Sequence, residues 1–551
     1  MSAARALTIH RRLDAGAIAR AGSVAPYRFI AEVEGEPHSV RSELIGATAA
    51  ELARGGRALV CLAQLTDLHM TDVESPARFE FVNREYADPR FRELLPMQRP
   101  QEALNAYALE AMVRTINGIE DGPVTGAPLE LVAMTGDAVD NAQENELNLF
   151  IDLFDGGYAN PKSGGPEYEG VQAPSWPGDI YWKPDGVDHG EDLFASAYGF
   201  PRVPGLLERA LQPFQAGGLR LPWIGCHGNH EELCQGVGSV TKKLEAALAG
   251  PRKPFRLPDS FDRDTALETF VNRPESFMAG PAIDVTADRS RRPLRRDSFV
   301  DAHFRFGARP RGHGLTAQNQ EDGTAYYVFD TPAVRFITLD TACPAGGADG
   351  CLGADQIRWL ERRLEEVHSK FQSRHGLNVK TSHQDRLVVI LSHHGLDTLS
   401  NPRAHPGVEG SAFVAADDLL ELLHRFDNVV LWLNGHIHAN RVRPRPDPLS
   451  VTGGFWEVTT ASLVDWPCQG RLVEVFDAGD ETVAIACTMV DHDGANPAGE
   501  ADSEDLAGLH RELAGNAPFA GFASGRAGGP QDRNVILPLR APFPLRRLQP
   551  E

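Results

Sequence analysis

"LAQLTDLHMTD", residues 62 to 72, places two aspartates and a histidine at the end of an apolar run that begins at Ala58. An apolar run of this length reads as a buried strand. Asp67-Leu68-His69 then falls where the strand gives way to a loop. Alone, Asp-x-His is an ordinary polar strand end. Its meaning rests on what stands at the ends of the other strands.

Four further runs of this kind occur at 129–134, 221–224, 386–391 and 428–433. Amphipathic helices fall between some of them. Leu104, Tyr107, Ala111 and Ile116 recur at helical spacing, as do Ile357, Leu360, Leu364 and Val367. A third helix is expected at 417–426, with acids at its N-terminus where the dipole favours them. Segments 325–329 and 334–339 read as a hairpin, and 455–463, 471–476 and 482–490 as late strands. Alternating strands and helices predict an α/β sheet protein.

Each strand end carries similar chemistry. After Asp67 and His69 come Gly136-Asp137-Ala138-Val139-Asp140-Asn141, then Gly228-Asn229-His230-Glu231. Ser392-His393-His394-Gly395 and Gly435-His436-Ile437-His438 complete the series. In α/β sheets, ligands bind beyond the C-terminal ends of the strands. Carboxylates, imidazoles and one amide without a thiolate suit Mn, Fe or Zn rather than a structural zinc site. The set is large enough for two ions if one carboxylate bridges.

These five blocks, in this order, resemble the calcineurin-like metallophosphoesterase superfamily. The resemblance runs from Asp67 to His438 and includes an actinobacterial metallophosphoesterase group. It implies a two-sheet αββα sandwich with large loop insertions and two divalent or trivalent metal ions. By the resemblance, Asp67, His69, Asp137 and His438 hold one ion, and Asp137, Asn229, His393 and His436 the other. The implied activity is hydrolysis of a phosphate monoester or diester by in-line attack of a metal-bridging hydroxide. His230 is then the proton donor to the leaving oxygen, kept protonated by Glu231. Either His393 or His394 could ligate, and the family pattern favours His393. Asp140 stands where purple acid phosphatases carry a tyrosine, so a tyrosinate-iron site is not expected. Rival readings are a catalytically silent scaffold on the same fold, a nuclease and a protein phosphatase. Gly-His-x-His argues against the last, and the complete ligand set against the first.

The chain has 551 residues, 42% of them hydrophobic, and a formal net charge of -22. That charge repels nucleic acid and anionic membranes, so a small anionic phosphate ester is the expected partner. Seven scattered cysteines with no CxxC pair suit a reducing compartment. His10-Arg11-Arg12-Leu13 lacks a following apolar core, so a cytoplasmic location is expected. The sequence leaves the oligomeric state open.

Residues 1–57 read as an N-terminal extension, 58–495 as the catalytic domain, and 496–551 as a C-terminal tail with a helix at 503–513. Insertions are expected at about 155–200 and 235–320. The second contains Arg289, Arg291, Arg292, Arg295, Arg296, Arg305, Arg309 and Arg311. Such a cluster is either a solvated loop pairing with acidic surface or a lid that clamps an anionic substrate. On the lid reading, Arg311 and His313 contact the substrate. Asp72 is expected to be an ordinary loop residue.

Overall fold

A computed structural model describes residues 3–45, 56–187, 189–403, 414–449, 453–495 and 505–548. It is a mixed α/β structure in which the described residues form a seven-stranded sheet, a six-stranded sheet and four two-stranded ones. The five expected strands appear at Arg57–Leu65, Leu131–Met134, Trp223–Gly225, Leu387–Leu391 and Val429–Asn434.

The first three lie side by side and parallel in the larger sheet. The other two run parallel in the smaller sheet, beside Val334–Thr338 and Phe455–Thr459. Parallel strands covered on both faces need continuous apolar sequence. That is why Leu387–Leu391 is buried at every position. The expected hairpin forms from Tyr327–Asp330 and Val334–Thr338.

One apolar cluster joins the two sheets, with Val60 and Leu62 from one and Phe336, Val389 and Leu431 from the other. The opposite face of the smaller sheet presents Ile337, Val388, Ile390 and Trp432. These pack on Leu360 and Leu364 of helix Ala354–Glu365 and on Leu419 and Leu423 of helix Ala416–His424. Each such side chain contributes about 1.5–3 kcal/mol on burial. Gln64, fully buried, ties the sheets by polar bonds as well. Its Nε2 donates to the Asn434 carbonyl at 3.0 Å, and its Oε1 accepts from Thr460 at 2.7 Å.

Both chain ends correct the sequence reading. Within the expected extension, Arg11–Arg20 and Tyr27–Glu34 form an antiparallel hairpin. Ser39–Val40 then pairs with Val535–Arg540, which pairs with Thr482–Asp491. The extension and the tail therefore supply two strands of the larger sheet. The tail helix spans Leu506–Asn516, and its expected start at Ser503 lies outside the described residues. The insertions also pack into smaller apolar clusters shared with other parts of the chain. Trp182, Phe194 and Phe200 cluster in one, and Phe79 packs with Phe270 and Phe277 of the other. No helix among the described residues is long and apolar enough to cross a membrane. All seven cysteines are free and buried.

His368 links helix and strand at the rim of the smaller sheet. Its Nε2 accepts from the Asn428 N–H, and its Nδ1 donates to the Leu364 carbonyl. Burial lowers its basicity to about 4. The unfolded chain takes up this proton near pH 6.5 and the folded chain only near 4. Wild type should therefore lose stability relative to His368→Gln as pH falls from 6.5 to 4, and not above that window. Urea unfolding at stepped pH measures the difference.

Candidate metal centre

The strand-end loops are stitched to one another before any side chain is considered. The Asp67 N–H donates to the Gly136 carbonyl at 3.0 Å, and the Gly435 N–H to the His393 carbonyl at 3.0 Å. The His436 N–H donates to Asp67 Oδ2 at 3.0 Å, across the two sheets. Five of the residues concerned, Asp67, His69, Asp137, His436 and His438, have φ between 44° and 69°. Left-handed backbone at a non-glycine residue costs on the order of 1 kcal/mol or more and concentrates at functional sites. Two glycines make the turns fit. A Cβ at Gly136, itself at φ 91°, would lie 2.6 Å from the His393 ring, and one at Gly228 would lie 2.2 Å from Asp137 Oδ1.

Four overlapping clusters result among the described residues: Asp67 with His69 and His438, Asp67 with Asp137 and His393, His69 with Asp140 and His230, and His393 with His394 and His436. Within each cluster the ligand atoms lie within 4.8 Å of one another. His438 Nε2 is 3.2 Å from Asp67 Oδ1, and His393 Nε2 is 3.0 Å from Asp137 Oδ2. His69 Nε2 and His438 Nε2 face each other at 3.0 Å. Asn229 Oδ1 is buried without a hydrogen-bond partner. The His436 ring stands 5.2 Å from that of His393.

The buried carboxylates favour positive charge beside them. Burial disfavours charge on His393, yet Asp137 and Asp67 outweigh it and lift the imidazole to about 9. Burial likewise opposes ionisation of Asp67, and His438 and His393 outweigh it, holding the carboxyl at about 2. Two buried carboxylates meet the rings of His69, His393 and His438 and an unpartnered amide oxygen. This oxygen and nitrogen donor set fits Mn, Fe or Zn.

Surrounding residues orient these groups. His69 Nδ1 lies 3.1 Å from Asp140 Oδ1, and Asp140 in turn is held by Arg78 at 3.0 Å and Gln235 at 2.8 Å. His438 Nδ1 donates to Asp465 Oδ2 at 2.7 Å. His393 Nδ1 donates to the Thr135 carbonyl at 2.8 Å. Carboxylate or carbonyl partners on the far ring nitrogen fix tautomer and orientation in metal-binding histidines. Asp465 carried no signal in the sequence, since it lies in no strand-end block. Asp140 was legible only as a turn residue.

His394 differs from its neighbour. Its Nδ1 lies 2.8 Å from Thr341 Oγ1, and its Nε2 donates to the Ala348 carbonyl at 3.0 Å. Both nitrogens thus have partners of their own, while one lies within 4.8 Å of ring nitrogens of His393 and His436. His227 is similarly engaged, with Nδ1 3.2 Å from Asp340.

Glu231 corrects its expected role. Its two oxygens accept the backbone N–H groups of Gly228, Asp137, Ala138 and Val139 at 2.6–3.1 Å. It shapes the Asp137 loop rather than holding His230 protonated. His230 Nδ1 instead donates to the Asp140 carbonyl at 2.6 Å, and burial lowers its basicity.

The arginine cluster is not assembled as a clamp. Arg291 is buried against Asp72, Arg292 pairs with Glu144, and Arg295 with Glu245. Arg296 bridges Glu232 and Asp340, and Arg305 pairs with Asp152. Arg309 donates to the Leu219 carbonyl. Arg311 lies over the Phe304 ring, 6.0 Å from its centroid. His313 is fully buried, stacked on Trp223 at 3.6 Å with Nε2 3.1 Å from Asp155. His313 is therefore part of the packing around Trp223, Arg311 is exposed beside Phe304, and neither joins these clusters. Asp72, expected in a plain loop, is a buried acceptor for Arg291, Ser163 and Asn145.

No family model matches the chain, and no curated protein matches it. Among solved structures it is similar to a dimetal phosphatase from Danio rerio, at 10% identity and a TM-score of 0.35, over 79% of this chain and 99% of that one.

Proposed function

We propose that the chain is a dimetal phosphoesterase built on an αββα sandwich. The reading rests on one observation, the buried convergence of Asp67, His69, Asp137, His393 and His438 beside an unpartnered Asn229 oxygen. Asp67, His69, Asp137 and His438 are assigned to one ion, and Asp137, Asn229, His393 and His436 to the other. When bound, such ions polarise a phosphoryl group and make hydroxide available at neutral pH.

The chain's own residues do the rest. Asp140 and Asp465 hold two imidazoles in register. The Glu231 carboxylate fixes the turn that aims Asp137. His230 keeps its proton on Nδ1 through the Asp140 carbonyl, which leaves Nε2 as the atom that serves the leaving oxygen. An anionic ester beside this ring offsets the burial that lowers its basicity. The substrate is a small anionic ester rather than nucleic acid. The arginines that might have formed a basic groove are largely engaged within the chain, and the net charge is -22.

The test is hydrolysis of p-nitrophenyl phosphate and its bis-ester by chain loaded with Mn, Zn or Fe, with bound metal counted in parallel. His69→Ala should lower kcat/KM by on the order of a hundredfold or more and remove one ion. A well-folded chain that binds no metal and cleaves neither ester would refute the proposal and leave the scaffold reading.

A further inference from the structure

His438 depends on a carboxylate that stands in no strand-end block. Its Nδ1 donates to Asp465 Oδ2 at 2.7 Å, and Asp465 is 1% exposed. A carboxylate buried so completely needs opposite charge beside it. Two guanidiniums supply that charge. Arg99 Nε donates to Asp465 Oδ1 at 2.9 Å, and Arg526 Nη1 to Oδ2 at 2.9 Å. Arg99 precedes helix Asn105–Gly118, and Arg526 belongs to the C-terminal region, so neither is near His438 in sequence.

Both arginines are fixed where they stand. The Asn440 N–H donates to the Arg526 carbonyl at 2.8 Å, which docks the turn at 525–528 on the residue two places beyond His438. The Arg99 N–H donates to Glu102 Oε2 at 2.9 Å. Arg99 also faces the second carboxylate of this half. Its Nη1 is 3.9 Å from Asp140 Oδ1, the oxygen that lies 3.1 Å from His69 Nδ1. One guanidinium therefore stands between the carboxylates that orient His69 and His438. The other half of the centre is built differently. His393 Nδ1 meets the neutral Thr135 carbonyl, and His436 Nε2 faces half-exposed Asp349 at 3.9 Å.

We propose that Arg99 and Arg526 are positioning residues for the first ion. They hold Asp465 and, through Arg99, Asp140, so that the His438 and His69 rings keep the orientation that binds metal. The assignment rests on the metal centre of the proposed function and gives the C-terminal region a task there. Losing a partner that orients a metal-binding histidine typically costs roughly ten- to a hundredfold in metal affinity. A guanidinium that acts through such a partner belongs at the lower end of that range.

Calorimetric titration of the metal-free full chain with Mn²⁺, and with Zn²⁺ in parallel, tests it. Arg526→Met should weaken one of two binding steps by about tenfold and leave the other unchanged. Arg526→Lys, which keeps the charge, should recover most of that loss. Arg99→Met should weaken the same step at least as far, because Arg99 faces both carboxylates. On an Asp465→Asn chain, Arg526→Met should add little, as expected of a residue that acts through Asp465. Unchanged affinity in Arg526→Met, or the tighter binding that simple removal of a positive charge would give, overturns the assignment and leaves the metal centre intact. So does an undiminished loss on the Asp465→Asn chain. A folded wild type that binds neither metal overturns the metal centre, and the assignment with it.

Discussion

Asp137→Asn should reduce ester hydrolysis at least on the order of a thousandfold and leave fewer than two ions per chain. Asp137 is 1% exposed, and its Oδ2 lies 3.0 Å from His393 Nε2 and 3.9 Å from His69 Nε2, so it faces both assigned ligand sets. Asparagine tolerates the left-handed backbone at this position, where φ is 56°, better than alanine does. It also keeps an oxygen for the His230 N–H, which donates to Asp137 Oδ1 at 2.9 Å. The loss is therefore one of charge rather than of shape. Asp140→Asn removes a charge one step further out, beyond the His69 ring, and should cost ten- to a hundredfold. Metal analysis and kcat/KM on both variants check the ordering. Equal losses in the two, with both ions retained, would mean that Asp137 is not the shared carboxylate.

The strand-end chemistry was legible because the parallel strands are short, continuously apolar and followed at once by the residues that matter. Leu387–Leu391 and His393 are an example of such a block. The groups that orient these residues were not legible. Asp465 meets His438 across 27 positions, and Asp140 meets His69 across 71. Nothing local marks either aspartate as different from a turn residue. The hairpin Arg11–Arg20 with Tyr27–Glu34 escaped for another reason. It is exposed at intervals on both faces, so no period of two is imposed on its sequence. Val535–Arg540 is well buried yet short and interrupted by Pro538, which weakens its strand signature. The arginine cluster was visible as a cluster, but its partners were not. Arg291 finds Asp72 across 219 positions and Arg292 finds Glu144 across 148, so a patch in sequence is dispersed in space.

Arg291→Met should destabilise the fold by about 3–5 kcal/mol in urea unfolding at pH 7, because it strands a buried carboxylate. Arg291 is fully buried, with Nε 3.1 Å from Asp72 Oδ2 and 3.0 Å from Ser163 Oγ. Burial pushes the Asp72 carboxyl up, but Arg291 and the donors Ser163 and Asn145 outweigh it and hold it below its usual range. The sign for pH follows. A depressed carboxyl contributes stability that is present above its unfolded value near 3.8 and is lost as pH falls through the folded value. Without Arg291 that carboxyl rises and takes up a proton sooner. The gap between wild type and Arg291→Met should therefore narrow in acid. Arg291→Met combined with Asp72→Asn should recover part of the loss at pH 7, since the stranded charge is gone. A substrate clamp behaves differently. If Arg291→Met left stability unchanged and raised KM alone, the second insertion would be a lid over the metal centre rather than a brace beside it.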